Sequence, residues 1–359
     1  KEHTFDSEVL AMQNDVIQKV KISEIDIDDP FFQSLKEDYD GFEGWFSRKS
    51  NEDAYIFREN ANLAGFLYLK DEDEEDFSVS PIFEKQRRLK IGTFKIESHG
   101  TVLGQRFLSI ILRKMFNEEH NFTYVTLFEK QQGLIRLFEK FGFRKWGTKG
   151  NGELVYYRDI EVFNDEYKDF PLINTRNNPR KFLLSIYPIF HTKLFPDSKL
   201  HTERNHIVED LSFTNTVEKI YICAIPNVME MKKGDLIVIY RTAEYGKPAE
   251  FSSVASSICT VIEVRNINSF STLDDFLYYS GKGSIFSKDE LISFWNTKKY
   301  PYIIKMLYNV PLTNRVIRKK LIDEVGLSRD QRWSCIELQD MQFNKLLEIG
   351  EVHEGFIID

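Results

Sequence analysis

Cysteine is scarce: the chain has three, Cys223, Cys259 and Cys335, odd in number and far apart. That excludes a disulfide framework and a cysteine metal cluster, and it fits a reducing compartment in which the thiols serve as small buried hydrophobes. No run of eighteen or more apolar residues occurs, which excludes a membrane-spanning helix. The first residues lack the sequence of charge, apolar core and small-residue cleavage site that marks a secretory signal, so a cytoplasmic protein is the expectation. Internal repeats and low-complexity tracts are also missing. Positive charge is not in excess either, since 48 Lys+Arg stand against 56 Asp+Glu. Broad, non-specific affinity for nucleic acid is therefore not expected of the chain as a whole.

Aromatic and apolar residues are plentiful. With 359 residues, 42% hydrophobic and 14% aromatic, the chain can build two cores, and two domains are the expectation. Charge is unevenly placed. Residues 178–359 hold 23 Lys+Arg and 23 Asp+Glu, whereas residues 1–177 hold 25 and 33, so the whole net charge of −8 lies in the first half. The second half can still carry a local basic face.

Residues 15–27 read as a strand and a turn, and Asp28-Asp29-Pro30 caps a helix carrying Phe31, Phe32, Leu35 and Tyr39. A second short helix carries Phe42, Trp45 and Phe46; this aromatic group reads as core. Apolar runs at 54–57 and 63–69 flank Glu59-Asn60-Ala61-Asn62, which predicts a hairpin. The six acids at 71–76 read as a solvated, mobile loop. A strand at 122–128, a short helix over 131–141 stopped by Gly142, and a strand over 153–162 complete the first half. Residues 166–179, with Asn174, Asn177, Asn178 and two prolines, read as a linker. Short β-rich runs follow at 182–186, 217–225, 235–240, 258–264 and 334–338, with helical pieces at 273–279, 288–296 and 343–347.

One stretch carries the clearest chemistry. Ile91, Phe94 and Ile96 form a strand, His99-Gly100-Thr101-Val102-Leu103-Gly104 a turn, and Leu103, Phe107, Ile110, Ile111 and Met115 one face of the following helix. A helix N-terminus behind such a turn presents unpaired N–H groups and partial positive charge to a phosphate. A kinase-type loop needs Gly-Lys-Ser/Thr there, but Leu103-Gly104-Gln105 supplies neither the Lys nor the hydroxyl. A dinucleotide site needs repeated strand–helix units and an acid about 20 residues on, and the flanking hairpin argues against it.

That turn, together with Leu137-Phe138-Glu139-Lys140-Phe141-Gly142-Phe143, resembles two motifs of the GNAT acetyltransferase superfamily, Arg/Gln-Gly-x-Gly-x-Gly/Ala and Leu-Tyr-Glu-Lys-x-Gly-Phe. The resemblance implies a GNAT-like mixed sheet with flanking helices over residues 1–165, using acetyl-CoA and no metal. It implies that the pantetheine arm pairs with the strand at Phe94, Lys95 and Ile96. The pyrophosphate would sit on His99, Gly100, Thr101, Val102, Leu103 and Gly104, with Gln105 on the first helical turn. Phe138 takes the cofactor-side position where the family often has the Tyr that protonates the departing thiolate, and a phenyl ring cannot donate that proton. Tyr124, Tyr156 and Tyr157 are other hydroxyls of the same domain. Glu97 and, second, His99 are the candidate bases; their plainer roles are a solvated strand-end carboxylate and a turn residue touching phosphate.

The second half opens Phe182-Leu-Leu-Ser-Ile-Tyr-Pro and contains Met231-Lys-Lys-Gly-Asp-Leu-Ile-Val-Ile-Tyr240, which resembles an ASCH domain, a PUA-like fold. The resemblance implies a small β-barrel with helices over residues 180–359, so that the whole chain is α+β in two domains. It also implies RNA as a partner. Lys199 and Arg204 match the family's Lys and Arg, with Thr202 and Glu203 between them. Lys193, Lys199, His201 and Arg204 are the candidate RNA-binding residues, with His206 beside them and Tyr187 and Phe190 for stacking. Arg315, Arg318, Lys319, Lys320, Arg329 and Arg332 form a second basic group with Trp333, half neutralised by Asp323, Glu324 and Asp330. His201, Glu203 and His206 match no familiar metal spacing. The expectation is an N-acetyltransferase with RNA, such as tRNA or aminoacyl-tRNA, presented by the second domain. The alternatives are a protein or small-molecule acetyltransferase and a non-catalytic acyl-CoA sensor.

Overall fold

The structure is a computed structural model that describes residues 17–97, 101–195, 216–281 and 283–359. The chain is mixed α+β and divides into two compact units, which among the described residues are 17–161 and 162–359.

The first unit runs β1 (Gln18–Lys21), α1 (Gln33–Asp38), α2 (Phe42–Arg48), β2 (Asp53–Glu59), β3 (Asn62–Glu72), β4 (Val79–Ser80), β5 (Arg88–Ile96), α3 (Thr101–Asn117), β6 (Phe122–Leu127), α4 (Gln132–Lys140), β7 (Arg144–Lys149) and β8 (Leu154–Asp159). The strands form one eight-stranded sheet in the order β1-β2-β3-β5-β6-β8-β7-β4. Only β5 and β6 are parallel neighbours, and α3 makes the crossover that such a pair requires. The β2–β3 hairpin turns through Asn60 and Ala61 at φ 49° and 69°, the doubly left-handed turn that matches strand twist. Gly142 ends α4 at φ 86°.

An aromatic cluster and the apolar helix α3 support this sheet. Phe31, Phe32, Phe42, Phe46 and Phe66 make one core cluster, and the Phe32 ring meets those of Phe42, Phe46 and Phe66. On α3 the predicted stripe is buried, and Leu108 and Leu112 are too, so the helix is apolar on more than one face. The acidic run is not a solvated loop throughout. Asp71 and Glu72 end β3, and Glu72 accepts from the Tyr124 hydroxyl at 2.6 Å and pairs with Arg88 at 3.3 Å.

The second unit contains β9 (Ile173–Asn174), β10 (Lys181–Ile186), α5 (Pro188–Leu194), β11 (Glu218–Cys223), β12 (Leu236–Arg241), α6 (Ala249–Ser252), β13 (Val254–Asn266), α7 (Leu273–Gly281), α8 (Lys288–Thr297), β14 (Tyr302–Ile317), α9 (Arg318–Asp323), β15 (Cys335–Leu338), α10 (Asp340–Ile349) and β16 (Ile357–Ile358). Its sheet has the order β11-β14-β13-β12-β10-β15. The expected barrel is not closed: among the described residues β11 and β15 are edges with no pairing between them. β15 is only four residues long, and α10 follows almost at once. Irregularities in the β13–β14 register at Ala255/Ser257, Ile258/Cys259 and Val261/Glu263 bend the long central pair.

Within residues 166–179, positions 169–173 are buried, whereas 176–178 are exposed. Phe170, Leu172 and Ile173 are buried, and β9 pairs with β16. Buried Asn309 donates to the carbonyls of Pro171 at 3.2 Å and Leu172 at 3.0 Å, and accepts from the Thr260 hydroxyl at 2.8 Å. Turn-forming residues mark this stretch as irregular; its apolar residues Phe170, Leu172 and Ile173 are what bury it.

Candidate functional site

The site is built from an interruption in the first sheet. β5 pairs with β6 from Arg88↔Phe122 to Ile91↔Val125, and there the ladder stops. On its other edge β5 stays paired with β3 as far as Ile96↔Gly65. β6 continues through Thr126 and Leu127, paired with β8. From Gly92 to Ile96, therefore, the β6-facing edge of β5 has no strand partner among the described residues. Backbone donors and acceptors on such an edge must bond to something else. α3 starts at Thr101, so its unpaired N–H groups lie just beyond the end of this edge.

Several side chains around the opening belong to the core. Phe94 is buried against Phe107 and Phe138, with ring centroids 5.5 Å and 6.0 Å away. Phe138, expected on the cofactor, has no exposed surface and packs on Phe143 at 4.7 Å. Leu103 and Gln105 are buried. A Cβ on Gly104 would come within 2.7 Å of Leu137 Cδ2, so this glycine permits the close approach of α3 and α4. His99 and Gly100 lie outside the described residues, as does the side chain of Thr101.

Lys95 donates to the Phe31 carbonyl, lies 4.6 Å from the Phe31 ring centre and pairs with Glu97 at 2.8 Å. Glu97 is thus a half-exposed carboxylate already matched by an ammonium two residues away. Of the candidate hydroxyls, Tyr124 is buried and committed to Glu72, and burial followed by that bond raises its pKa well above the usual phenol range. Tyr156 is buried, with its hydroxyl 3.4 Å from Glu139.

One pair was not singled out from sequence. Glu153 is 1% exposed, and its Oε1 accepts from the Tyr39 hydroxyl at 2.7 Å and from the Thr126 hydroxyl at 3.1 Å. Thr126 is the first β6 residue past the parting of the strands. Burial, then the bond to Glu153, raises the Tyr39 pKa far above that of a free phenol. The partners are 114 residues apart in sequence, a separation that no local pattern reveals.

In the second unit, Lys193 is exposed on α5; Lys199, His201, Thr202, Glu203, Arg204 and His206 lie outside the described residues. The second basic group is tied down in part. Arg329 pairs with Glu250 at 2.8 Å and Lys319 with Asp323 at 3.0 Å. The Arg318 guanidinium lies 4.3 Å over the Trp333 ring, and Trp333 packs on Tyr240 at 5.2 Å. On α5, His191 is buried with its Nε2 2.7 Å from Ser256 Oγ. Burial, with Arg241 and Arg315 adding repulsion, pushes its pKa down to about 3. Burial pushes the thiol of Cys223 up to about 11 and that of Cys335 up to about 12, which disfavours their thiolates.

No family model matches the chain, and no curated protein matches it either. Solved structures of ASCH proteins and of GNAT acetyltransferases each resemble part of it. An ASCH protein from Zymomonas mobilis is 11% identical and covers 47% of this chain and 94% of its own, with a TM-score of 0.31. A GNAT-family acetyltransferase from Elizabethkingia anophelis, solved with acetyl-CoA bound, is 13% identical and covers 41% and 98%, with a TM-score of 0.30. An IAA acetyltransferase from Bacillus cereus is 13% identical and covers 40% and 98%, with a TM-score of 0.28. Likenesses this distant assign no activity; the functional argument rests on the chain's own residues.

Proposed function

We propose that the first unit binds acetyl-coenzyme A in the opening between β5 and β6 and transfers the acetyl group to an amine. The observation that carries this reading is the parting of the two strands after Ile91↔Val125. The free edge from Gly92 to Ile96 suits the amides of a pantetheine arm, and the α3 N-terminus suits a pyrophosphate. In the transfer, the amine nitrogen bonds to the thioester carbonyl carbon and the carbon–sulfur bond breaks. The proton lost by nitrogen equals the one that sulfur gains. Backbone N–H groups on the β5 edge would stabilise the charge developing on the carbonyl oxygen. The Tyr39–Glu153 pair is the preferred proton carrier: its hydroxyl can give a proton to sulfur while the carboxylate takes one from the amine. Glu97 is less suited because it is solvated and matched by Lys95.

RNA is the proposed bearer of the acceptor amine, engaged by the second unit through Lys193 and the Arg318–Trp333 stack together with Lys199, His201 and Arg204. Stacked aromatic and guanidinium planes with nearby cations are what unpaired bases and phosphates require. The non-catalytic alternative, an acyl-CoA sensor, is favoured by one observation: position 138 is a fully buried phenyl ring with no hydroxyl to give.

Hydrogen exchange with and without acetyl-CoA tests the site. Residues 92–97 and 101–105 should gain protection, and melting should shift by about 2.7 kcal/mol of added stability at one hundred times the dissociation constant. Absence of both effects at saturating acetyl-CoA would remove the enzymatic and sensor readings together. Labelled acetyl-CoA incubated with cellular RNA and protein then separates them: label in RNA supports the proposed acceptor, label in protein the alternative acceptor, and label in neither the sensor.

A further inference from the structure

The sequence suggests no metal site, yet the fold of the first unit brings together a ligand set drawn from distant positions. Asp71 at the end of β3, Glu118 and His120 after α3 each offer one ligand atom, and these atoms lie within 4.8 Å of one another. We propose that these three residues bind a divalent transition-metal cation. One imidazole and two carboxylates are donors that zinc accepts readily, and the remaining positions would be taken by water.

The placement of the three groups is firm. His120 has a fully buried side chain, and its Nε2 faces Asp71 Oδ1 as a direct partner. Its backbone N–H bonds to the Met115 carbonyl at 3.0 Å, after Glu119 turns through φ 56°. Arg87 Nη1 holds the Glu118 carbonyl at 2.6 Å, and Asn121 N–H bonds to the Arg87 carbonyl at 3.0 Å. The turn that carries two of the ligands is thereby fixed to the strand side of the sheet. Asp71 is more than half exposed and Glu118 about one-third exposed, so an ion can reach the group from solvent.

Two features limit the affinity. Lys114 Nζ already pairs with Glu118 Oε1 at 2.6 Å, a cation the metal must displace or share the carboxylate with. His120 Nδ1 is buried without a hydrogen-bond partner. A ligating imidazole ordinarily donates that second N–H, and losing such a partner weakens metal binding by about 10–100-fold. The site is therefore of modest affinity, filled when the ion is abundant. Occupancy would clamp the C-terminal end of α3 to the end of β3 through Asp71.

Calorimetry with zinc chloride on the full chain is the test, with cobalt(II) absorption reporting nitrogen and oxygen ligation. The expected result is one ion per chain, with binding weakened by about tenfold or more in Asp71→Asn and in Glu118→Gln. Both side chains are exposed enough for the fold to tolerate the change. Lys114→Ala, which frees Glu118, should bind at least as tightly as the parent. No saturable binding at millimolar zinc would overturn the proposal. So would binding that neither Asp71→Asn nor Glu118→Gln alters, since the ion would then sit elsewhere.

Discussion

A buried carboxylate needs donors, and Glu153 has them in Tyr39, Thr126 and Asn151, the last at 2.8 Å. If this group carries the proton of acetyl transfer, Tyr39→Phe should lower kcat by about 10²-fold while leaving the affinity for acetyl-CoA unchanged. Steady-state kinetics with calorimetry of acetyl-CoA binding checks this, and an unchanged kcat would discard the pair. His191 allows a second prediction at the same scale. Its folded pKa lies near 3 and its unfolded value near 6.5. Below the unfolded value, unfolding therefore takes up a proton that the native imidazole refuses. Stability from this residue is complete above pH 6.5 and falls as pH drops toward 3, by at most about 1.4 kcal/mol per pH unit. Urea unfolding from pH 7 to pH 4 should show a shallower pH slope for His191→Gln than for the parent. Equal slopes would mean that His191 is not held neutral.

Among the elements, the short β4–β7 pairing is the most exacting. A Cβ on Gly147 would fall 1.9 Å from the Ser80 carbonyl oxygen, a backbone atom that cannot swing aside. Gly147→Ala should therefore cost about 1–3 kcal/mol, as overpacking does, read as a lower melting temperature with β4 losing exchange protection. A parent-like melt would show that the two strands can separate freely. β7 was not foreseen, because Arg144–Lys149 reads RKWGTK, with no alternation to mark a strand. Its pairing with β8 supplies the order that its own sequence does not. By contrast, α3 and the β2–β3 hairpin were legible, since apolar spacing and turn residues are local signals. An unpaired edge at Phe94, Lys95 and Ile96 is implied only by the family resemblance, through the pantetheine pairing; a missing ladder leaves no mark on composition or period.

For the molecule as a whole, the charge balance follows from the sequence, whereas its two most specific polar groupings do not. Tyr39 with Glu153, and Asp71 with His120, join residues separated by 114 and 49 positions. Six acids in a row at 71–76 suggest a solvated loop, because like charges repel. The fold instead distributes them: Asp71 goes to His120, Glu72 to Arg88 and Tyr124, and Asp76 to the Ser78 hydroxyl at 2.6 Å. The barrel expectation was wrong in its closure for a related reason. A strand count read from apolar runs does not reveal which edges meet.

The interrupted ladder on β5 has a thermodynamic consequence. Amide groups inside a sheet are normally spent on neighbouring strands, but among the described residues those of 92–96 on the β6 side have no strand to bond. Any guest that bonds to them trades one hydrogen bond for another, a net gain of only about 0.5–1.5 kcal/mol each. The opening therefore selects by the spacing of amides along a narrow chain, and tight holding has to come from what the guest places at the head of α3.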